Sequence, residues 1–287
     1  RLGLEIGKDM NKGLVIEVNG IVLGEYKKNY VLQPPVEGLL RPEVRTADGV
    51  FSGRDGGYIS NQLYGKRAVT LQGMMIGDDA DDYEDLRKNL VANLPIRSMA
   101  EFKITMPSGD QYILEAYPID VQADYRRDSY GEYKIDIVAP SPYLYAVGGE
   151  VSYPIKKLIG GGYATPYELP ITWVEGTQST TITNTGDSII YPRIVLTGKW
   201  TNPRILNVTT NQYVELTGFA STTGDEVVFD MLKRTITLNG GNIINKRTSS
   251  SSWWGLAIGS NVIELTSTSG SDAMDGVIMV RNQYTGI

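Results

Sequence analysis

Short runs of alternating apolar and polar residues recur along almost the whole chain and break at Gly, Asn or Pro. A period of two sends successive side chains to opposite faces of an extended strand, so the pattern predicts a mainly β protein. LVIEV and IVLGEY flank Asn19-Gly20, a dipeptide suited to the positive φ angles of a tight hairpin turn. Pro34-Pro35 ends the next run, and Arg67–Ile76 (RAVTLQGMMI) predicts a further strand, with Gly73 expected to mark a bulge. EFKITM and QYILEAYPIDVQADY follow, separated by Ser108-Gly109. In EYKIDIVAP, Tyr133, Ile135 and Ile137 alternate with charged neighbours.

One segment breaks the period. In GDDADDYEDLRKNLVANLP, Tyr83, Leu86, Leu90 and Leu94 recur at helical spacing and predict a helix over about residues 79–94. Asp78 is the expected N-cap, and Pro95 follows the end. Asp79, Asp81 and Asp82 then complement the positive end of the helix dipole. The cluster lacks the Gly and the terminal Glu of an EF-hand loop, so capping is favoured over calcium binding. The first half therefore reads as antiparallel β with one helix packed on it.

The second half carries almost no helical periodicity. ELPITW, TTITNTG, YPRIVLTG, PRILNVTT, YVELTGF, EVVFDM, RTITLNG, NVIELTST and GVIMVRN recur with turn residues between them, the pattern of a β-sandwich or jelly roll. Between the halves, SPYLYAVGGEVSYPIKKLIGGGYATPYELP is dense in Gly and Pro and reads as a connector. Gly160, Gly161 and Gly162 are not followed by GK[ST], which disfavours a phosphate loop.

Composition sharpens this division. At 287 residues the chain is long enough for two domains, and the expected pair is 1–146 and 147–287. Residues 1–146 hold 17 basic and 22 acidic side chains, whereas 147–287 hold 10 and 11. All four Trp (Trp173, Trp200, Trp253, Trp254) fall in the second half. The net charge of −6 argues against broad charge-driven binding of nucleic acid or anionic membrane. There is neither Cys nor His. Disulfides, thiolate nucleophiles, Cys-type zinc sites, Ser-His-Asp triads and HExxH centres are therefore excluded. No run approaches the roughly 18 apolar residues of a membrane helix, and RLGLEIGKDM lacks a signal-peptide core. The absence of an initiator Met leaves room for upstream residues.

The ordered motifs carry a resemblance. The first half has DGGY (Asp55–Tyr58), the stretch Arg67–Ile76, an acidic helix and a Pro142-Tyr143 pair. The second has Asn184-Thr185-Gly186, Pro192 to Gly198, Pro203 to Thr210 and Gly224-Asp225 to Asp230. It continues with Arg234 to Gly240, Trp254 to Leu256, Gly259-Ser260-Asn261 and Gly276 to Tyr284. In this order the chain resembles the distal tail (Dit) protein family of bacteriophages with long, non-contractile tails. The Pro192 strand and the Trp253-Trp254 pair are local variants, and no long insertion follows the first half, so an inserted carbohydrate-binding module or attachment arm is not expected. The resemblance implies a β-barrel-like belt domain that closes into a homohexameric ring, and a galectin-like β-sandwich. It implies a place at the virion tail tip after assembly in the host cytoplasm, between tail tube protein and tail-associated or fibre protein. A receptor-binding protein is a further implied partner, and DNA would be met only as the passing genome.

Such a hub needs surfaces rather than a reactive centre, and no cofactor, metal or membrane partner is expected. Arg67 and the basic-aromatic spot Tyr125-Arg126-Arg127, flanked by Asp124 and Asp128, are candidate subunit-interface residues. A second reading gives the C-terminal domain a glycan site built on Trp200, Trp253 and Trp254, against the simpler expectation that one Trp fills the sandwich core. A third gives Asp225, Glu226 and Asp230 a hydrolytic role, against the expectation that they cap a strand and its turn.

Overall fold

The computed structural model describes residues 13–25, 27, 29–124, 129–157, 178–270 and 273–287. The chain forms two compact units, one from residues 1–147 and Tyr284–Ile287, the other from Gly148–Gln283.

In the first unit, β1 (Val15–Val18) and β2 (Ile21–Gly24) pair as a hairpin about Asn19 (φ 45°) and Gly20 (φ 84°). β3 (Tyr30–Leu32) lies parallel to β2. The chain then leaves the sheet as a ribbon in which β4 (Val44–Arg45) pairs with β7 (Leu63–Tyr64), and β5 (Asp48–Val50) pairs with β6 (Gly57–Ile59). It returns through β8 (Arg67–Ile76), α1 (Ala80–Asn93), β9 (Ala100–Thr105), β10 (Gln111–Ala123) and β11 (Tyr130–Ala139). The order β11-β8-β3-β2-β1-β9-β10, with β10 also paired to β11, closes a barrel. Along the edge away from β9, β10 serves two neighbours in turn. Its start pairs with β12 (Leu144–Ala146), its end with β11, and the register shifts between Pro118 and Asp120.

The inward residues of these strands form one core with Tyr83, Leu86 and Leu90 of α1. The cap sits one residue later than Asp78: Asp79 accepts a bond from the Asp82 amide (2.9 Å), and the Asp82 carboxylate in turn accepts from the Asp78 amide (2.8 Å). At the other end the Asn19 side chain donates to the carbonyl of Asn93 (2.8 Å), so a hairpin residue satisfies a helix terminus. Gly73 makes no bulge, because β8 stays in continuous register with β11. A Cβ there would stand 1.9 Å from the Val31 carbonyl oxygen, so glycine is required by close strand approach.

The second unit is a sandwich whose sheets share a strand. β13 (Val151–Lys157) lies in the segment expected to be a connector. Its start pairs with β22 (Met274–Val280), and its end with β14 (Gln178–Asn184). One sheet continues from β22 through β15 (Arg193–Gly198), β18 (Glu226–Asp230), β19 (Thr235–Leu238) and β20 (Gly241–Asn242). The other runs from β14 through β21 (Gly259–Ser269) and β16 (Thr201–Asn207) to β17 (Gln212–Glu215). Ile182, Ile205, Ile263, Ile194, Phe229 and Ile278 meet in the core between them. ELPITW, Trp173 and Gly160–Gly162 lie outside the described residues. Among the described residues no helix is long and apolar enough to cross a membrane.

Candidate functional site

Two of the three carboxylates considered for hydrolysis, Asp225 and Asp230, serve turns. One Asp225 oxygen accepts from the amide and the hydroxyl of Thr222 (both 2.7 Å), the other from the Asn239 side chain (3.0 Å). The Thr222 amide first, then its hydroxyl and Asn239, hold the Asp225 carboxyl below the ordinary carboxylate value. A general acid needs the opposite shift. Asp230 accepts from the Lys233 amide (2.8 Å) at the next turn. Among the described residues no group of three or more acidic side chains is arranged to hold a metal ion.

Arg67, expected at a subunit interface, is instead completely buried. Its Nε donates to the carbonyl of Pro142 (2.8 Å), Nη1 to those of Gly38 and Leu39 (both 2.7 Å), and Nη2 to that of Thr285 (2.5 Å). Three backbone stretches distant in sequence, at 38–39, 142 and 285, are thus pinned by one planar fork, a geometry that suits guanidinium and not ammonium. Around the pin the packing leaves no room for a side chain. A Cβ on Gly38 would meet the Ala68 carbonyl oxygen at 1.9 Å, and one on Gly286 the Leu40 carbonyl oxygen at 2.0 Å. Tyr64 packs edge-on against Tyr143 of the Pro-Tyr pair, with centroids 6.4 Å apart. The base of the ribbon is therefore closely packed. Tyr125, Arg126 and Arg127 lie outside the described residues.

The candidate glycan residues separate. Trp200 and Trp254 are 2% and 1% exposed in the sandwich core, so neither offers a ring face to a sugar. Trp253 is half-buried, packed on that core with the Arg247 guanidinium 5.5 Å from its ring. The correction has a simple cause: large apolar rings gain most from burial in a sandwich of this size.

Three buried asparagines, not singled out as site residues from the sequence, do converge. Asn184 donates to the Leu256 carbonyl (3.2 Å), Asn207 to that of Gly255 (3.2 Å), and Asn261 to that of Ala257 (2.7 Å) while accepting from the Ala257 amide (2.9 Å). Together they clamp the irregular stretch between Trp254 and β21. Each is the Asn of one of the ordered motifs, NTG, PRILNVTT and GSN, and that shared residue was the available signal.

Residues 185–282 match the family described as siphovirus-type tail component, C-terminal domain. No curated protein matches the chain. Among solved structures, the Dit protein of SPP1, described as a paradigm of the hub adsorption apparatus in phages infecting Gram-positive hosts, gives a TM-score of 0.66 at 14% identity. That likeness covers 94% of this chain and 98% of that one, and extends to the whole mostly-β fold. The phage P2 baseplate in its activated conformation with Ca gives a TM-score of 0.47 at 10% identity, covering 96% of this chain and 99% of that one.

Proposed function

We propose that this chain, which belongs to the distal tail protein family through its siphovirus-type C-terminal domain, is a structural hub of a phage tail tip and transforms no molecule. The observation that carries the reading is the presence in one chain of that domain and of a closed barrel bearing a two-stranded ribbon. A closed barrel has no free strand edge, and its outer faces are left for neighbours. Copies related head to tail through two different faces propagate until the rotation closes, which yields a ring. Six copies is the number that the family resemblance implies. Tail tube protein on one side and fibre or baseplate protein on the other are the proposed neighbours. The genome would pass through the opening, where an acidic surplus in the first half repels phosphate and prevents sticking.

Native mass measurement with negative-stain imaging of the purified chain tests this. The expected particles are rings with an open centre and a mass near six times 31.6 kDa. Particles without an opening, or turnover of any substrate, overturn it. Burial of Trp200 and Trp254 takes two of the three candidate rings from the glycan reading and leaves it half-buried Trp253 alone.

A further inference from the structure

We infer that residues 282–287 are a relay through which the second unit governs how firmly the ribbon over residues 43–65 is held. The relay lies within one chain and does not rest on the ring reading.

The ribbon depends on its base. None of residues 43–64 is buried, and a two-stranded ribbon alone in water is marginal. At the base the Gly65 amide donates to the Glu43 carbonyl (2.7 Å), and the Thr70 amide to that of Glu37 (3.2 Å). Gly38 and Leu39, whose carbonyls Arg67 holds, lie between these two acceptors in sequence. Arg67 in turn holds the carbonyl of Thr285.

The tail is fixed in the first unit at every residue. Tyr284 packs edge-on against Tyr112, with centroids 5.1 Å apart. Thr285 faces Arg67. Gly286 is keyed against Leu40, as described, and Ile287 packs on the barrel core. Residues 282 and 283 are fixed as closely in the second unit, by the turn that follows Asn184. The Asn282 side chain donates to the Thr185 hydroxyl (2.7 Å). Gln283 is buried, donates from Nε2 to the Ile189 carbonyl (2.6 Å) and accepts at its own carbonyl from the Asp187 amide (3.3 Å). A Cβ on Gly186 would stand 2.2 Å from that Gln283 carbonyl oxygen. Asn184 sets this collar: its side-chain oxygen accepts from the Gly186 amide (2.9 Å), and its Nδ2 donates to the Ser188 carbonyl (2.8 Å).

Gln283 and Tyr284 are consecutive, so no free residue separates the two grips. The other covalent crossing runs through Gly148 and Gly149, both at positive φ (106° and 78°), with nothing within 4 Å of where a Cβ would lie, so it transmits little. Contiguous fixed contacts of the first kind are what carry coupling between separate bodies. A displacement of about 1 Å takes a hydrogen bond out of range, so a small shift of the collar parts Thr285 from Arg67 and slackens Gly38 and Leu39. In the hub proposed above, an event seated on the second unit would reach the ribbon by this route.

Amide hydrogen exchange on the full chain, read at Gly65 and Thr70, tests the relay. Gly186→Ala forces the Gln283 carbonyl aside, and Gln283→Ala removes the side-chain hold. Each should speed exchange at both amides about fivefold or more over wild type in the same state of assembly. In an Arg67→Met background, where the link to Gly38 and Leu39 is already cut, neither should add to the exchange. Phe229→Leu loosens the core of the same unit from β18 and should leave both amides as in wild type. If Gly186→Ala fails to fold, Gln283→Ala carries the test alone. Exchange unchanged in either variant that folds, equal acceleration in Phe229→Leu, or acceleration that persists in the Arg67→Met background overturns the relay. None of these outcomes bears on whether wild type forms rings.

Discussion

Replacing Arg67 by Met keeps an unbranched apolar stem and removes the fork. Four backbone carbonyls then lose a charged donor in a site without solvent access. Each such bond contributes about 1.5–3 kcal/mol net, but the desolvation of the guanidinium itself offsets several kcal/mol of the total. Loss of a buried charged hub of this kind costs ~3–5 kcal/mol. For a body of about 150 residues each kcal/mol lowers Tm by ~2–4 °C, so a fall of roughly 6–20 °C is expected. Arg67→Lys should land between, since one ammonium cannot reach all four oxygens. The assay separates the units, because all four Trp lie in residues 147–287. Tryptophan fluorescence should follow the second unit and stay in place, while one calorimetric transition moves down. An Arg67→Met protein that melts within about 2 °C of wild type but no longer assembles would refute the internal pin and return Arg67 to the surface role.

Other expectations are smaller. Asp79→Ala removes the α1 cap and should cost about 1 kcal/mol in urea titration, whereas Asp78→Ala, one residue earlier, should cost less. Trp254→Ala should destabilise the second unit by ~3–5 kcal/mol, and Trp253→Ala by much less, read from its thermal transition. Asn261→Ala should cost about 1–3 kcal/mol by leaving buried polar groups of the 257–259 turn unpaired. Lys134 first, then Thr70, hold the Asp136 carboxyl below its usual value. That contribution is complete above the unfolded value near pH 4 (about 3.9 for Asp) and is lost as pH falls through the lower folded value. Asp136→Asn should therefore lower the urea midpoint near neutral pH and flatten its acid dependence.

The parts of the fold governed by local rules were legible. The Asn19-Gly20 turn, the stripe Tyr83, Leu86, Leu90 and Leu94, and the alternation at Tyr133, Ile135 and Ile137 all face as their periods require. What failed depended on neighbours distant in sequence. Gly73 reads as a bulge until the Val31 carbonyl is known to stand against it, and VSYPIKK reads as a connector until β22 and β14 supply its partners. Arg67 shows the limit most clearly, since a lone arginine opening a strand looks like a surface charge. Only the carbonyls of Gly38, Leu39, Pro142 and Thr285, the last 218 residues later, make it internal. The ribbon was invisible for a related reason: with no buried face, it leaves no hydrophobic period to read.

That late return sets a clock. Because Tyr284–Ile287 belong to the first unit, and Gly148–Gln283 come between, the second unit is an insertion in the sequence of the first. At about 5–20 residues per second on the ribosome, the insertion takes on the order of 7–30 s to emerge. For that interval the guanidinium of Arg67 waits without the Thr285 carbonyl. A nascent chain therefore completes its second unit before it can seal the first, which delays any premature joining of half-made copies.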